Sequence, residues 1–124
     1  MEEQELYAAI GEDGFRRLIA NFYKQVPADD ILGPMYPKTD IGEAEGRLAS
    51  YLIYRFGGPQ TYIEERGHPR MRGRHLPYAI DRRARDRWIE LMSRAFKETG
   101  LDPGAEALLR GFFDHLAAFM INRE

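Results

Sequence analysis

The sequence predicts an all-α protein folded as a single domain over residues 1–124, and three observations predict it. Four segments repeat apolar residues at the i, i+3, i+4, i+7 spacing that marks one face of a helix. No run alternates apolar and polar residues with the period of two that a half-buried strand needs, and there is no internal repeat. The stretch 57–80 is poor in helical pattern, and an ordinary four-helix bundle would not join two of its members through such a connection. A long connection with little structure of its own often holds a functional site.

The 124 residues are enough to bury roughly two-thirds of the unfolded surface in one core. Hydrophobic residues make up 44% and charged residues 31%, as in an ordinary globular protein, and the net charge of −2 argues against a general polyanion binder. Cysteine is absent, which excludes disulfides, zinc–thiolate and iron–sulfur sites, a thiol nucleophile and thioether-linked haem. The start, MEEQELY, lacks a secretory pattern, and no apolar run reaches the roughly 18 residues of a membrane span. A cytoplasmic protein with no membrane association is expected.

In chain order, residues 3–10 predict one or two helical turns ending at Gly11, and Asp13 is the expected N-cap of the next helix. Its inner stripe is Phe15, Leu18, Ile19, Phe22, Tyr23 and Val26, and Pro27 ends it. Tyr23 falls on that stripe, and a buried phenol needs a hydrogen-bond partner. Residues 28–32 suggest a short helical turn, followed by an irregular aromatic corner, Gly33-Pro34-Met35-Tyr36-Pro37. Asp40-Ile41-Gly42 opens the second long helix, with Ala44, Leu48, Tyr51, Leu52 and Arg55 inward and Arg47 beside them; Gly57-Gly58-Pro59 closes it. The third runs from a cap at Asp81 to Gly100, with Ala84, Trp88, Leu91, Met92, Ala95 and Phe96 inward. The last begins at Asp102-Pro103 and turns Ala105, Leu108, Leu109, Phe112, Leu116, Phe119 and Met120 to one side.

Within 57–77 the chain reads GGPQTYIEERGHPRMRGRHLP. Pro69 suits a first helical turn, Met71 and His75 then share one face with Arg72 and Arg74 at the sides, and Leu76-Pro77 stops the helix. This allows two readings. His75 is a partly buried histidine capping a loop, or it is an axial ligand to haem iron with the arginines placed for the propionates.

The pieces Phe22-Tyr23, Met35-Tyr36-Pro37, Ala44-Glu45-Gly46-Arg47-Leu48, Gly57-Gly58-Pro59, Gly67-His68-Pro69-Arg70, Arg74-His75-Leu76-Pro77 and Arg87-Trp88 together resemble the truncated haemoglobins, most closely group II. The resemblance spans residues 6–122. It implies a two-over-two helical sandwich, a shortened globin, around non-covalent haem b. Carried over, it makes His75 the proximal iron ligand and Tyr23, Tyr36 and Trp88 the polar distal residues. Ala44 stands where longer globins carry a distal histidine, with Leu48 one turn on. Arg47, Tyr62, Arg72 and Arg74 are its candidates for the propionates. The family often has paired glycines after the first helix, whereas here Gly11 and Gly14 are separated by Glu12-Asp13.

Walls for the flat apolar ring would come from Phe22, Leu48, Tyr51, Leu52, Met71, Met92, Phe96 and Leu116, all of which also read as plain core. Donors aimed at the partial negative charge of bound oxygen stabilise it in a low-dielectric pocket. The implied ligands are O2, CO, NO and peroxide, with a reductase to keep the iron ferrous. Slow release suits sensing, peroxidase-like chemistry or NO detoxification better than bulk oxygen transport. A homo-oligomer is compatible with the sequence.

Two other readings compete. Arg66, Arg70, Arg72, Arg74, Arg82, Arg83, Arg85 and Arg87, with Tyr62 and Tyr78 nearby, form a basic run of the kind that binds nucleic-acid phosphates without haem, although Glu64, Glu65, Asp81 and Asp86 interrupt it. A metal site on His68 and His75 lacks helical ligand spacing, and His115 has no ligand role.

Overall fold

The structure, a computed structural model, describes residues 1–36, 41–59 and 80–121. These form four α-helices, α1 (Leu6–Tyr23), α2 (Ile41–Arg55), α3 (Arg82–Thr99) and α4 (Pro103–Phe119). Single 3-10 turns lie at Glu3–Glu5, Val26–Ala28 and Gly33–Met35, and there is no strand among the described residues. None of the described helices is long and apolar enough to cross a membrane.

α1 joins the two expected helices across a kink at Gly11, whose φ of 66° and ψ of 175° lie in a region essentially confined to glycine. The separated glycines do different work. Gly11 turns the chain, while Gly14 is buried so closely on Ile10 that a Cβ would lie 2.8 Å from the Ile10 Cβ. Asp13, expected as a cap, instead accepts from Arg17 Nε at 2.9 Å, one turn on. Beyond the kink Phe15, Leu18, Ile19, Phe22 and Tyr23 are all buried. The helix ends at Tyr23, earlier than Pro27 alone would require, and Val26–Ala28 turns off as 3-10 helix. There the Gln25 side-chain amide donates to the Asn21 carbonyl at 3.1 Å and the Leu91 carbonyl at 2.9 Å, fastening the end of α1 to α3.

α2 turns Ala44, Leu48 and Leu52 into the core, with Ala49 and Ile53 beside them and Tyr51 half-buried. Arg55 is not on this face: it pairs with Glu3 at 3.1 Å and lies 5.0 Å above the Phe56 ring. A guanidinium reaches solvent from there while its stem covers an aromatic. α3 starts where Asp81 accepts from the Ala84 N–H at 2.8 Å and stops at Gly100, left-handed at φ 67°. α4 starts on Asp102, which accepts from Gly104 N–H at 3.0 Å and Ala105 N–H at 3.3 Å.

The buried face of α4 is Ala105, Leu109, Phe113 and Ala117, with Met120 just beyond its end. Leu108, Phe112 and Leu116 are half-buried, and Phe119 is 60% exposed. The inner face is thus rotated from the expected one. Phe112 and Phe113 are adjacent, so either completes a helical stripe, and packing of Phe113 on Phe96 and Trp88 decides between them. α1 packs on both α2 and α3, and α3 pairs with α4 through a three-residue turn. α2 takes its packing from α1 and meets α3 and α4 only sparsely among the described residues.

Candidate functional site

The end of α1, the corner after it and the middle of α3 bring four aromatic residues together. Tyr23, the last residue of α1, is 4% exposed, and its ring meets that of Tyr36 edge-on at 5.6 Å. Phe22 packs on Tyr23 at 4.9 Å and on Trp88 of α3 at 5.0 Å. Trp88 in turn meets Phe113 of α4 at 5.4 Å. Such tilted and edge-on pairs suit the ring quadrupoles and fix the rings in place.

Burial pushes the Tyr23 hydroxyl well above the ordinary phenol range, and Tyr36 raises it further. Arg47 opposes the rise and Glu45 adds to it, so this face of α2 lies within electrostatic reach of the phenol. The result is a neutral O–H, a donor in apolar surroundings. Ala44 and Leu48 are buried at 6% and 8% exposure, and the methyl of Ala44 makes it the smaller of the two side chains.

Of the expected wall residues, Phe22, Leu48, Leu52, Met92 and Phe96 are buried, while Tyr51 and Leu116 are half-buried. Arg47 is half-buried and pairs with Glu43 at 3.6 Å. His75, Tyr62, Met71, Arg72 and Arg74 lie outside the described residues, as do His68, Arg66, Arg70 and Tyr78. Among the described residues no cluster of three histidine, cysteine or carboxylate side chains would hold a metal, and His115 is exposed on α4.

Asp29 does not stand out in the sequence, and Arg87 reads there as one member of a basic run. In the fold the two meet. Arg87 Nη1 lies 2.6 Å from Oδ1 of both Asp29 and Asp30, and its Nε lies 3.2 Å from Glu90. The Asp29 side chain is 7% exposed, and its Oδ2 accepts from the Ile31 N–H at 3.0 Å and the Leu32 N–H at 2.8 Å. Burial works against its charge, but the Leu32 N–H, the Arg87 guanidinium and the Ile31 N–H together hold the carboxyl below the usual carboxylate range. The available signal was a pair of aspartates just ahead of the aromatic corner in a chain whose arginines cluster elsewhere. Within that cluster Arg83 lies 4.0 Å from Asp30 and Arg85 lies 2.6 Å from Asp86, so three of its four described members, Arg87 included, are spent on carboxylates.

The profile of the bacterial-like globin family matches residues 5–122. The group 2 truncated hemoglobin YjbI of Bacillus subtilis is 35% identical over 117 residues, 94% of this chain and 88% of that protein. The thermostable hemoglobin of Thermobifida fusca is similar in structure with a TM-score of 0.89 at 45% identity, covering 94% of this chain and 96% of that one. The truncated oxygen-avid haemoglobin of Bacillus subtilis gives a TM-score of 0.88 at 35% identity, covering 94% and 98%.

Proposed function

The chain belongs to the bacterial-like globin family, and so is a haem protein for small diatomic ligands such as oxygen; on that premise we propose that it releases them slowly from a polar distal pocket. In this reading the group is non-covalent haem b, His75 is its proximal ligand, and Arg47, Tyr62, Arg72 and Arg74 meet its propionates. What the described residues offer fits such a group. They supply buried apolar side chains in Phe22, Leu48, Leu52 and Met92, a neutral phenol at Tyr23, and an α2 that packs on α1 and meets α3 and α4 only sparsely among the described residues.

The group, when bound, supplies a redox-active iron open to diatomic ligands. The single observation that carries the proposal is Tyr23, a buried phenol kept protonated, in ring contact with Tyr36 and through Phe22 with Trp88. Tyr23 and Tyr36 offer O–H groups and Trp88 an indole N–H to negative charge on a ligand. Each hydrogen bond to a charged acceptor contributes about 1.5–3 kcal/mol, so two together slow release by roughly two to four decades. That retention suits sensing, or redox chemistry on oxygen, peroxide or nitric oxide with a partner reductase, better than bulk transport. One of the similar haemoglobins is described as oxygen-avid, in keeping with this reading. The small Ala44 leaves a side entrance that a bulkier residue would shut.

The purified protein is expected to absorb strongly at about 400–420 nm, the range of haem proteins. Stopped-flow oxygen release from Tyr23→Phe and Trp88→Phe should be faster than from the parent, by roughly tenfold or more for Tyr23→Phe. Unchanged rates in both variants would remove the distal network. Turnover of peroxide or nitric oxide no better than free haemin would remove the enzymatic half.

A further inference from the structure

Tyr36 stands outside the long helices, yet its ring lies edge-on against that of buried Tyr23 at 5.6 Å, so something has to fix the corner that carries it. A continuous ladder runs from Asp29 to Tyr36. The Asp29 carboxylate accepts from Ile31 and Leu32 N–H, and the Asp29 carbonyl accepts from Gly33 N–H at 3.0 Å. The Leu32 carbonyl then accepts from Met35 N–H at 3.0 Å, and the Gly33 carbonyl from Tyr36 N–H at 3.2 Å. Gly33 presses against the backbone before it, where a Cβ would lie 3.1 Å from the Val26 carbonyl oxygen. The corner is therefore stiff along its length; Leu32, 2% exposed, seats its middle in the core, and its first two residues give it a polar anchor. That anchor is Arg87, which bonds Asp29 and Asp30 and is the residue before Trp88 on α3.

We propose that Arg87, with Asp29, is a positioning residue of the ligand pocket: the ion pair locks the corner to α3 and so holds Tyr36 in register with Tyr23 and Trp88. The proposal rests on the distal-donor reading for its effect on ligands, but the lock itself is a matter of geometry. The Asp29 side chain is 7% exposed and that of Arg87 28%, so the pair is shielded from the screening that weakens open surface pairs. One guanidinium nitrogen, Nη1, meets both Asp29 and Asp30 while a second, Nε, meets Glu90, two separate points of contact that a single ammonium cannot reproduce. Donors that act on a ligand must be held within a fraction of an ångström of their productive positions, so a loosened corner weakens donation without removing a donor.

The test uses the haem-loaded protein with Arg87→Met, Arg87→Lys and Asp29→Asn. Asp29→Asn keeps an oxygen for the Ile31 and Leu32 N–H groups and removes the charge facing Arg87, which separates the turn from the lock. Amide hydrogen exchange across residues 31–36 is expected to quicken by roughly tenfold in Arg87→Met and Asp29→Asn, with α1 amides unchanged and Arg87→Lys intermediate. Oxygen dissociation should rise roughly three- to tenfold in the same variants, and this rise should vanish when Arg87→Met is made in a Tyr36→Phe background. Exchange no faster than in the parent overturns the proposal, and so does a rate change that persists in full without the Tyr36 hydroxyl. If Tyr36→Phe alone leaves oxygen release unchanged, the donor reading of Tyr36 fails, and the exchange measurement still decides the lock.

Discussion

A phenol buried at the end of a helix needs polar company inside the protein, and Tyr23 has the Tyr36 ring edge-on against it at 5.6 Å. Burial and Tyr36 both raise its pKa, which gives stability a definite dependence on pH. A group whose folded pKa is raised contributes stability that is fully present below its unfolded value, here about 10, and lost as pH rises through the folded one. Urea midpoints of the parent should therefore fall between about pH 9.5 and 11 by more than those of Tyr23→Phe, which has no phenol to ionise at that position. Equal falls would mean that burial of this hydroxyl is not coupled to folding. The burial of Tyr23 was legible because it lies four residues beyond Ile19 on a stripe of period 3.6. Its partner Tyr36 was named only through family resemblance, since the corner around it has no period to read. The Arg87–Asp29 pair was missed for a related reason: its members are 58 residues apart, and ion pairs across such a separation leave no local pattern.

At the scale of the element, caps and breakers were the most legible features. Asp81, Asp102 and Gly100 sit where start and stop signals place them, because those side chains satisfy or release backbone groups that every helix end leaves open. The inner face of α4 was less legible, since apolar residues cover a wide arc and only contact with Phe96 and Trp88 selects Phe113 as its centre. Two glycines make the contrast between backbone need and mere tolerance measurable. Gly11 sits at φ 66°, ψ 175° with nothing within 4 Å of where a methyl would stand, so Gly11→Ala meets no clash and its cost is backbone strain alone. That cost should be about 1–3 kcal/mol, a fall in melting temperature of roughly 3–15 °C for a chain of this size. Gly111 lies exposed within α4, equally open and without a positive φ, so Gly111→Ala should gain about 0.5–1 kcal/mol. Calorimetry of the two variants should show shifts of opposite sign; a melting temperature that does not fall in Gly11→Ala would mean that the kink is not required by the rest of the fold.

For the whole molecule, packing among the described helices points to where a bound prosthetic group would add most. α1 is the hub, lying against α2 and α3, and α3 carries α4, while α2 relies on α1. The chain of rings from Tyr36 through Trp88 to Phe113 ties the corner, α1, α3 and α4 together, while α2 reaches α4 at its far end, where Phe56 and Arg55 meet Phe112 at 4.9 and 5.5 Å. A flat apolar group seated against Leu48 and Leu52 would give α2 the second neighbour that the described helices do not. Anything that binds the folded state alone stabilises it by mass action, about 4 kcal/mol when free ligand exceeds its Kd a thousandfold. For this chain length that corresponds to a melting temperature roughly 12–20 °C higher in the haem-loaded protein than in the stripped one. Hydrogen exchange should place the difference chiefly in α2 rather than in the α1–α3 contact, because among the described helices α2 has the fewest partners. His75→Ala should reproduce most of that destabilisation and lose its pigment on gel filtration, since an apolar pocket alone retains the ring far less tightly than pocket and imidazole together. A His75→Ala protein that kept its colour and melted with the parent would move the proximal ligand elsewhere in the chain. A stripped protein that melted with the loaded one would mean that α2 needs no neighbour beyond α1.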